Sequence, residues 1–192
     1  MGSYKKNRRR VRWVIVITMW TFVLATILGF IAHYSLLEIH SLIISFMILL
    51  SVIALGIFSD IIGTAVAAAD IAPFNAKAAR KVRGARRGVY LVQHAEKVAN
   101  FCNDVVGDIS GIISGMLAAI IVLRLVSLVP YPSAEFYVGI LLTALVAAVT
   151  VGGKAWGKAI AIRQSTEVIM MVGLLITQLE KPFSWLRNKS NI

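Results

Sequence analysis

Acidic residues in apolar surroundings are the feature of this sequence that points most directly to chemistry. Four aspartates lie within or at the ends of long apolar stretches: Asp60, Asp70, Asp104 and Asp108. An ionised carboxylate in hydrocarbon costs at least about 2.5 to 3.5 kcal/mol on the scale derived from insertion experiments. Such residues inside a membrane are therefore typical of polar sites for ions or substrates.

Two predicted helical faces contain these acids among small residues. The first face has residues three or four apart, and it consists of Gly56, Asp60, Gly63, Ala67 and Asp70. The second has the same spacing, and it consists of Asn100, Asp104, Asp108, Gly111 and Gly115, with Gly107 and Ser110 beside it. Small residues let two helices approach closely, so the carboxylates are expected to meet in a protein-lined cavity. Carboxylate, amide and hydroxyl oxygens together form the environment that magnesium prefers.

Each feature also has a simpler interpretation. A glycine stripe can pack helices without forming a site. Asp70 and Asp104 lie at the ends of apolar stretches, where an acid can remain in contact with water. The more central acids can form structural ion pairs, with Asp60 or Asp108 as the acid and Lys154 or Lys158 as the base.

The composition places these residues in an integral membrane protein. Hydrophobic residues make up 58% of the chain and charged residues only 15%, whereas soluble domains have about 25% charged residues. A single cysteine, Cys102, argues against a disulfide or a cysteine metal site. The fold class predicted is all-α, with four transmembrane helices, a helical basic inner loop and a C-terminal interfacial helix. The spans are predicted at 13–34, 42–72, 105–129 and 136–153, and the interfacial helix at about 165–180.

Lysine and arginine set the expected orientation. Residues 1–12, the loop after the second span and the tail including 181–192 are basic, whereas the connections 34–41 and 130–135 contain no lysine or arginine. Both termini are therefore predicted to be cytoplasmic. The net charge of +11 is explained by this topology and implies no nucleic-acid partner. The inner loop is a candidate site for anionic lipid, at Lys77, Arg80, Lys81, Arg83, Arg86 and Arg87.

Three short motifs resemble the transmembrane domain of the CorC/CNNM magnesium transporters. They cover residues 58–65 (FSDIIGTA), 103–108 (NDVVGD) and 153–161 (GKAWGKAIA). The family has Phe-Ser…Glu-Thr-Ala, then Gly-Asn-Asn-x-x-Asn, then Gly-Glu-Ile-x-Pro-Lys-x-Leu-Ala in the same order. The resemblance spans residues 42–179, with 13–34 as an added first helix. The chain differs at Lys154, where the family has glutamate, and at Gly157, where the family has proline.

The resemblance implies a homodimer in the plasma membrane of a prokaryote, a juxtamembrane belt helix and three of the four spans. The family usually continues into cytosolic CBS domains, which this sequence lacks, so we expect no nucleotide regulation of that kind. Together with the acids, the resemblance predicts transport of a divalent cation near the membrane midplane, with magnesium as the first candidate. The protein is expected not to be an enzyme and to have no organic cofactor.

The residues expected at the site fall into three groups. Ion binding is predicted at Ser59, Asp60, Asn103, Asp104 and Asp108, with metal ligation by the three aspartates. Lys154 and Lys158 are expected as gating residues or charge partners. Helix packing is predicted at Gly63, Gly107, Gly111 and Gly115.

Two other functions fit the same residues. A non-transporting membrane partner or scaffold subunit would use buried aspartate–lysine pairs to hold another subunit. A membrane-embedded metal-dependent enzyme is the weaker alternative, because it would need more closely spaced acids and an arginine for its substrate.

Overall fold

The structure is a computed structural model that describes residues 2–38, 41–127 and 134–189, with side chains described over 11, 14–34, 41–127 and 136–180. Within these residues every regular element is a helix. Large parts of the connections predicted at 34–41 and 130–135, and most basic side chains of the two termini, lie outside the described residues.

The helices follow one another with short connections. They are α1 (Gly2–Glu38), α2 (Leu42–Ala68), α3 (Ala72–Ala79), α4 (Ala85–Gln93), α5 (Ala95–Asn100), a π-helical segment (Phe101–Gly107), α6 (Asp108–Val126), α7 (Ala134–Arg163) and α8 (Ser165–Lys189).

Four stretches of helix are long and apolar enough to cross a membrane. They are Val14–Tyr34, Leu42–Ala68, Ala95–Val126 and Phe136–Arg163. The third stretch starts at residue 95 rather than 105, and the fourth ends at 163 rather than 153. Hydropathy detects where side chains become polar, whereas a helix ends where its backbone hydrogen bonds end. These two helices therefore continue past the apolar windows and include charged residues, whereas the second span, predicted to end at 72, ends at Ala68.

The chain forms two compact units, and α2 and α7 contribute a segment to each. The first unit consists of residues 1–53 and 109–147. Its buried residues include Leu49 and Ile53 of α2 and Leu117 and Ile121 of α6. Three serines, Ser45, Ser110 and Ser114, are buried in the same unit, and Arg124 donates a hydrogen bond to Ser45 Oγ, at 3.2 Å.

The second unit consists of residues 54–108 and 148–192. Its core has buried residues from α2, α3, α4, α7 and α8: Ala65, Val66, Phe74, Leu91, Ala161 and Ile169. Phe74 follows Pro73, and a proline in the first turn suits a helix start because it lacks an N–H that would be unsatisfied there. A Cβ at Gly88 would lie 2.6 Å from Phe74 Cδ1, so α4 packs very closely over α3.

Candidate ion-binding site

The centre of the candidate site is a buried row on α2. Ser59 and Asp60 are buried, Asp60 with only 3% of its surface exposed, and Gly56 and Gly63 are buried on the same side. Phe58, which lies between Gly56 and Ser59 in the sequence, is exposed on another side of the helix. This alternation follows helical geometry, because residues three or four apart share one face. The second unit therefore encloses the Asp60 carboxylate inside protein rather than leaving it to hydrocarbon.

Two lysines on α7 face this carboxylate. Lys154 Nζ and Lys158 Nζ lie 3.5 Å and 3.7 Å from Asp60 Oδ2. They are four residues apart and therefore lie one above the other on the same helical face. Lys154 Nζ also donates a hydrogen bond to the Gly107 carbonyl oxygen, at 3.3 Å. Asp60, rather than Asp108, is thus the acid that pairs with the two lysines.

Glycines on α7 allow the lysines to reach Asp60. A Cβ at Gly157 would lie 2.7 Å from Ile61 Cγ1, and a Cβ at Gly153 would overlap Ile57 Cδ1. The backbone of α7 therefore lies directly against the Ile57 and Ile61 side chains of α2. A larger residue at position 157 would force the Ile61 side chain to move.

The distances in this ion pair are long. A strong hydrogen bond between an ammonium and a carboxylate is about 2.7 to 2.9 Å, and both lysine nitrogens are farther than that from Asp60. An ionised carboxylate has about four lone-pair positions for hydrogen bonds. The lysines therefore neutralise the charge of Asp60 without forming short hydrogen bonds to it.

The π-helical segment supplies the third side of the site. Ser59 Oγ donates a hydrogen bond to the Cys102 carbonyl oxygen, at 2.8 Å. Asn103 Oδ1 is buried and has no hydrogen-bond partner among the described residues. A π-helical turn inside an α-helix is rare and occurs frequently at functional sites. A buried oxygen without a donor likewise calls for a bound water, an ion or a functional role.

Two of the predicted packing glycines make this arrangement possible. A Cβ at Gly63 would overlap the Asn103 side-chain amide, and a Cβ at Gly107 would lie 2.6 Å from Asp60 Oδ1. Gly63 and Gly107 therefore keep α2 and the π-helical segment close together. In contrast, a Cβ at Gly111 or Gly115 would meet no atom of the described residues within 4 Å, so packing of those two glycines against a second protomer stays a prediction.

The structure does not bring the other two predicted ligands to Asp60. Asp104 and Asp108 are both exposed, and over the described residues no group of three histidine, cysteine, aspartate or glutamate side chains is placed to hold a metal ion. Asp70 is exposed and its Oδ1 accepts a hydrogen bond from Ala72 N, at 3.1 Å. That contact supports the start of α3, which agrees with the interpretation of Asp70 as a helix-end residue.

No family model matches this chain, and neither a curated protein nor a solved structure matches it. The CorC/CNNM resemblance therefore remains an expectation from the three motifs.

Asp60 lies close to one end of its span rather than at its middle. At about 1.5 Å per residue, Asp60 is about 27 Å along α2 from Leu42, and the hydrocarbon layer is about 30 Å thick. This end of α2 leads into α3, α4 and their basic residues. The location of the site near the membrane midplane stays a prediction.

On the helical stretch after α5, each buried residue lies one position before the corresponding residue of the predicted stripe. Gly107, Ser110 and Ser114 are buried there, together with the Asn103 oxygen. These residues are four, three and four positions apart, so the same helical spacing was available in the sequence. The predicted stripe contains aspartates, whereas the buried residues are small or uncharged. Carboxylates are costly to bury, which is the physical reason that Asp104 and Asp108 lie outside the row.

Proposed function

We propose that this protein transports a cation across the membrane and that Asp60 is the residue that binds it. In this proposal Lys154 and Lys158 are internal counter-ions, which the transported cation displaces. The observation that supports it is the combination of a buried carboxylate, two ammonium groups at 3.5 and 3.7 Å and an amide oxygen on Asn103 that has no hydrogen-bond partner among the described residues. A purely structural ion pair would be expected to have its oxygen atoms fully hydrogen-bonded.

The oxygen atoms in the site suit a hard cation. Asp60 supplies one carboxylate, Asn103 supplies an amide oxygen, and Ser59 uses its proton on the Cys102 carbonyl, which leaves its own oxygen as an acceptor. Magnesium usually keeps several waters and is bound by one or two carboxylates. One buried carboxylate is therefore sufficient for a partly hydrated magnesium ion, which is the first candidate for the transported ion.

The two lysines give the site a way to remain neutralised without the ion. With both ammonium groups beside Asp60, the local charge is positive, and this disfavours a divalent cation. Lys158 is about half-exposed, with 49% of its side chain accessible, so its long side chain can withdraw toward water. When the cation arrives, the lysines leave, and when the cation leaves, the lysines return. The carboxylate is therefore never left bare in the membrane, where it would cost several kcal/mol.

The membrane arrangement follows from the positions of the basic residues. We place both termini and the segment from α3 to α4 in the cytoplasm, because lysine and arginine concentrate on the cytoplasmic side. The helix α8 is then an interfacial helix. We further place a second protomer against Gly111 and Gly115, because the space beside them within one chain is open.

One alternative has its own supporting observation. If Asp60 is permanently paired with the lysines, the protein is a non-transporting partner subunit in which the pair holds α2 and α7 together. The absence, among the described residues, of a group of three metal-binding side chains favours this alternative over an enzyme that requires a resident metal.

Magnesium uptake into liposomes separates the two functions. We expect the wild-type protein to admit magnesium to an indicator dye trapped inside. Asp60→Asn should lower the initial rate by at least about tenfold, which corresponds to about 1.4 kcal/mol, because the buried charge is lost. Asp108→Asn is the matched control: it removes an exposed acid and should leave the rate within about twofold, or about 0.4 kcal/mol. Full activity in Asp60→Asn, or equal losses in both variants, would contradict the proposed site.

Lys154→Met tests the exchange of counter-ions directly. Without this competitor, magnesium should bind more tightly, so the magnesium concentration that gives half of the thermal stabilisation should fall. Transport should slow at the same time, because release of the ion is no longer assisted by the returning lysine. If no variant and no wild-type preparation responds to magnesium, the partner-subunit function is favoured instead.

A further inference from the structure

A second polar site lies outside the four predicted spans, between the segment that joins α3 to α4 and the helix α8. It is a cavity of about 610 Å³ in the second unit. Its lining is basic and consists of Lys81, Val82, Arg83, Gly84, Arg86, Arg87, Thr177 and Glu180. Of the six basic residues suggested by the sequence for anionic lipid, four belong to this cavity, and Lys77 and Arg80 do not line it.

The backbone around the cavity is closely packed. Gly84 has φ of +83°, a left-handed conformation that glycine adopts without a steric penalty. A Cβ at Gly84 would lie 2.7 Å from Leu174 N of α8, so the turn before α4 rests directly on α8. Lys81 also has a positive φ, of 57°. The lining residues are therefore presented by a specific turn rather than by an extended loop.

The charges of the cavity are unbalanced. Glu180 is the one acid in the lining, and it forms an ion pair with Arg87. Lys81, Arg83 and Arg86 contribute three further positive charges. Arg86 lies in the first turn of α4, which contains no acidic residue, although the helix dipole favours negative charge at that end. An anion in the cavity would balance the excess positive charge of the lining and supply negative charge at the start of α4.

The position of α8 indicates where the anion comes from. This helix has an exposed apolar face with spacing typical of a helix that lies on a membrane: Met171, Leu174, Leu175 and Leu179. Leu174 is in contact with the turn at Gly84. The cavity is therefore within one helix diameter, about 10 to 12 Å, of the surface that faces lipid. The turn that lines the cavity thus contacts a residue of the apolar face of α8, so a lipid headgroup at the membrane surface can reach the cavity.

We infer that this cavity binds the phosphate group of an anionic lipid headgroup, through Lys81, Arg83 and Arg86. Arginine and lysine recognise phosphate by charge and hydrogen bonding, and a cavity of this volume can hold a headgroup with its water. The inference is independent of cation transport, because the lining shares no residue with the Asp60 site.

Thermal melting of the full chain in an uncharged detergent tests this inference. We expect short-chain phosphatidic acid to raise the melting temperature and phosphatidylcholine with the same chains to have little effect. In the double variant Arg83→Gln, Arg86→Gln, half-saturation should need about 25-fold more phosphatidic acid, since each charge near an anionic surface contributes a factor of about five. The matched control is Arg80→Gln, Arg163→Gln, which removes two exposed arginines outside the lining and should change half-saturation by less than about fivefold.

Further measurements distinguish a lipid headgroup from a soluble compound as the source of the phosphate. Equal stabilisation by inorganic phosphate alone would assign the cavity to a soluble phosphate compound and overturn the lipid assignment. The same weakening in the control as in the cavity variant would mean that general surface charge attracts the lipid, and this would overturn the site. Absence of any stabilisation of the wild type by phosphatidic acid would overturn the inference altogether.

Discussion

The ion pair between Asp60 and Lys154 is the contact whose removal gives the sharpest test of the site. Asp60 has 4% of its side chain exposed and Lys154 has 21%. At 3.5 Å and an effective dielectric constant of about 20, the gross attraction between the two charges is roughly 5 kcal/mol. Most of this is offset by the loss of hydration of both groups. We therefore expect a net coupling of about 1 to 2 kcal/mol, within the range of about 0.5 to 3 kcal/mol found for residues in contact.

The perturbation is a double-mutant cycle of Asp60→Asn and Lys154→Met in magnesium-free buffer. Removing one partner of a fully buried pair costs about 3 to 5 kcal/mol. Here the expected loss for Asp60→Asn is smaller, about 1 to 3 kcal/mol, because Lys154 is partly exposed and Lys158 can turn to water. The double variant should be more stable than the sum of the two single losses predicts, because it leaves no unpaired charge from the Asp60–Lys154 pair.

Thermal melting in detergent, followed by tryptophan fluorescence, measures the cycle. For a chain of this length, 1 kcal/mol corresponds to a change in melting temperature of about 2 to 4 °C. Additive effects, with a coupling below about 0.5 kcal/mol, would refute the pairing of Asp60 with Lys154. The matched control is the cycle of Asp108→Asn with Lys154→Met, which should be additive because the exposed Asp108 has no described contact with the lysine.

Three further predictions concern packing and topology. Gly63→Ala should lower the unfolding free energy by about 1 to 3 kcal/mol, because the added Cβ overlaps the Asn103 side-chain amide. Gly111→Ala meets no atom of the described residues and should be neutral or stabilising by up to about 1 kcal/mol in monomeric protein. Equal melting temperatures for the two variants would contradict this packing. Ser59→Ala should cost about 1 kcal/mol by removing the hydrogen bond to the π-helical segment, which faster amide exchange in that segment would reveal. Lys81→Cys and Phe136→Cys, in a background without the natural cysteine, should be labelled from opposite sides of the membrane, and labelling from one side would refute the orientation.

The sequence alone was sufficient to predict four helices that are long and apolar enough to cross a membrane. A layer of hydrocarbon about 30 Å thick requires about 20 apolar residues in each helix, and this requirement is visible in composition without any tertiary information. The positions of the helix ends were predicted less accurately. The segment from 95 to 104 and the segment from 154 to 163 are helical although they contain charged residues, because charged side chains at helix ends do not interrupt backbone hydrogen bonding.

The site was predictable only in part. The sequence singled out Asp60 and placed it on a small-residue face, and it left open whether Asp60 or Asp108 faces the lysines. It did not indicate the π-helical segment, whose extra residue per turn changes which side chains face inward. It also did not indicate that Asn103 would have an unpartnered oxygen, because hydrogen-bond satisfaction depends on atoms from a neighbouring helix.

Tertiary structure decided which acid pairs with the lysines, and the reason is geometric. The periodicity of a helix identifies residues that share a face, but it does not specify how that helix is rotated or shifted along its neighbours. Here the close approaches at Gly63, Gly107 and Gly157 set those positions. They bring Lys154 to Asp60 and leave Asp108 outside the pair. Apolar length therefore determined the spans, whereas the contacts between helices determined the chemistry between them.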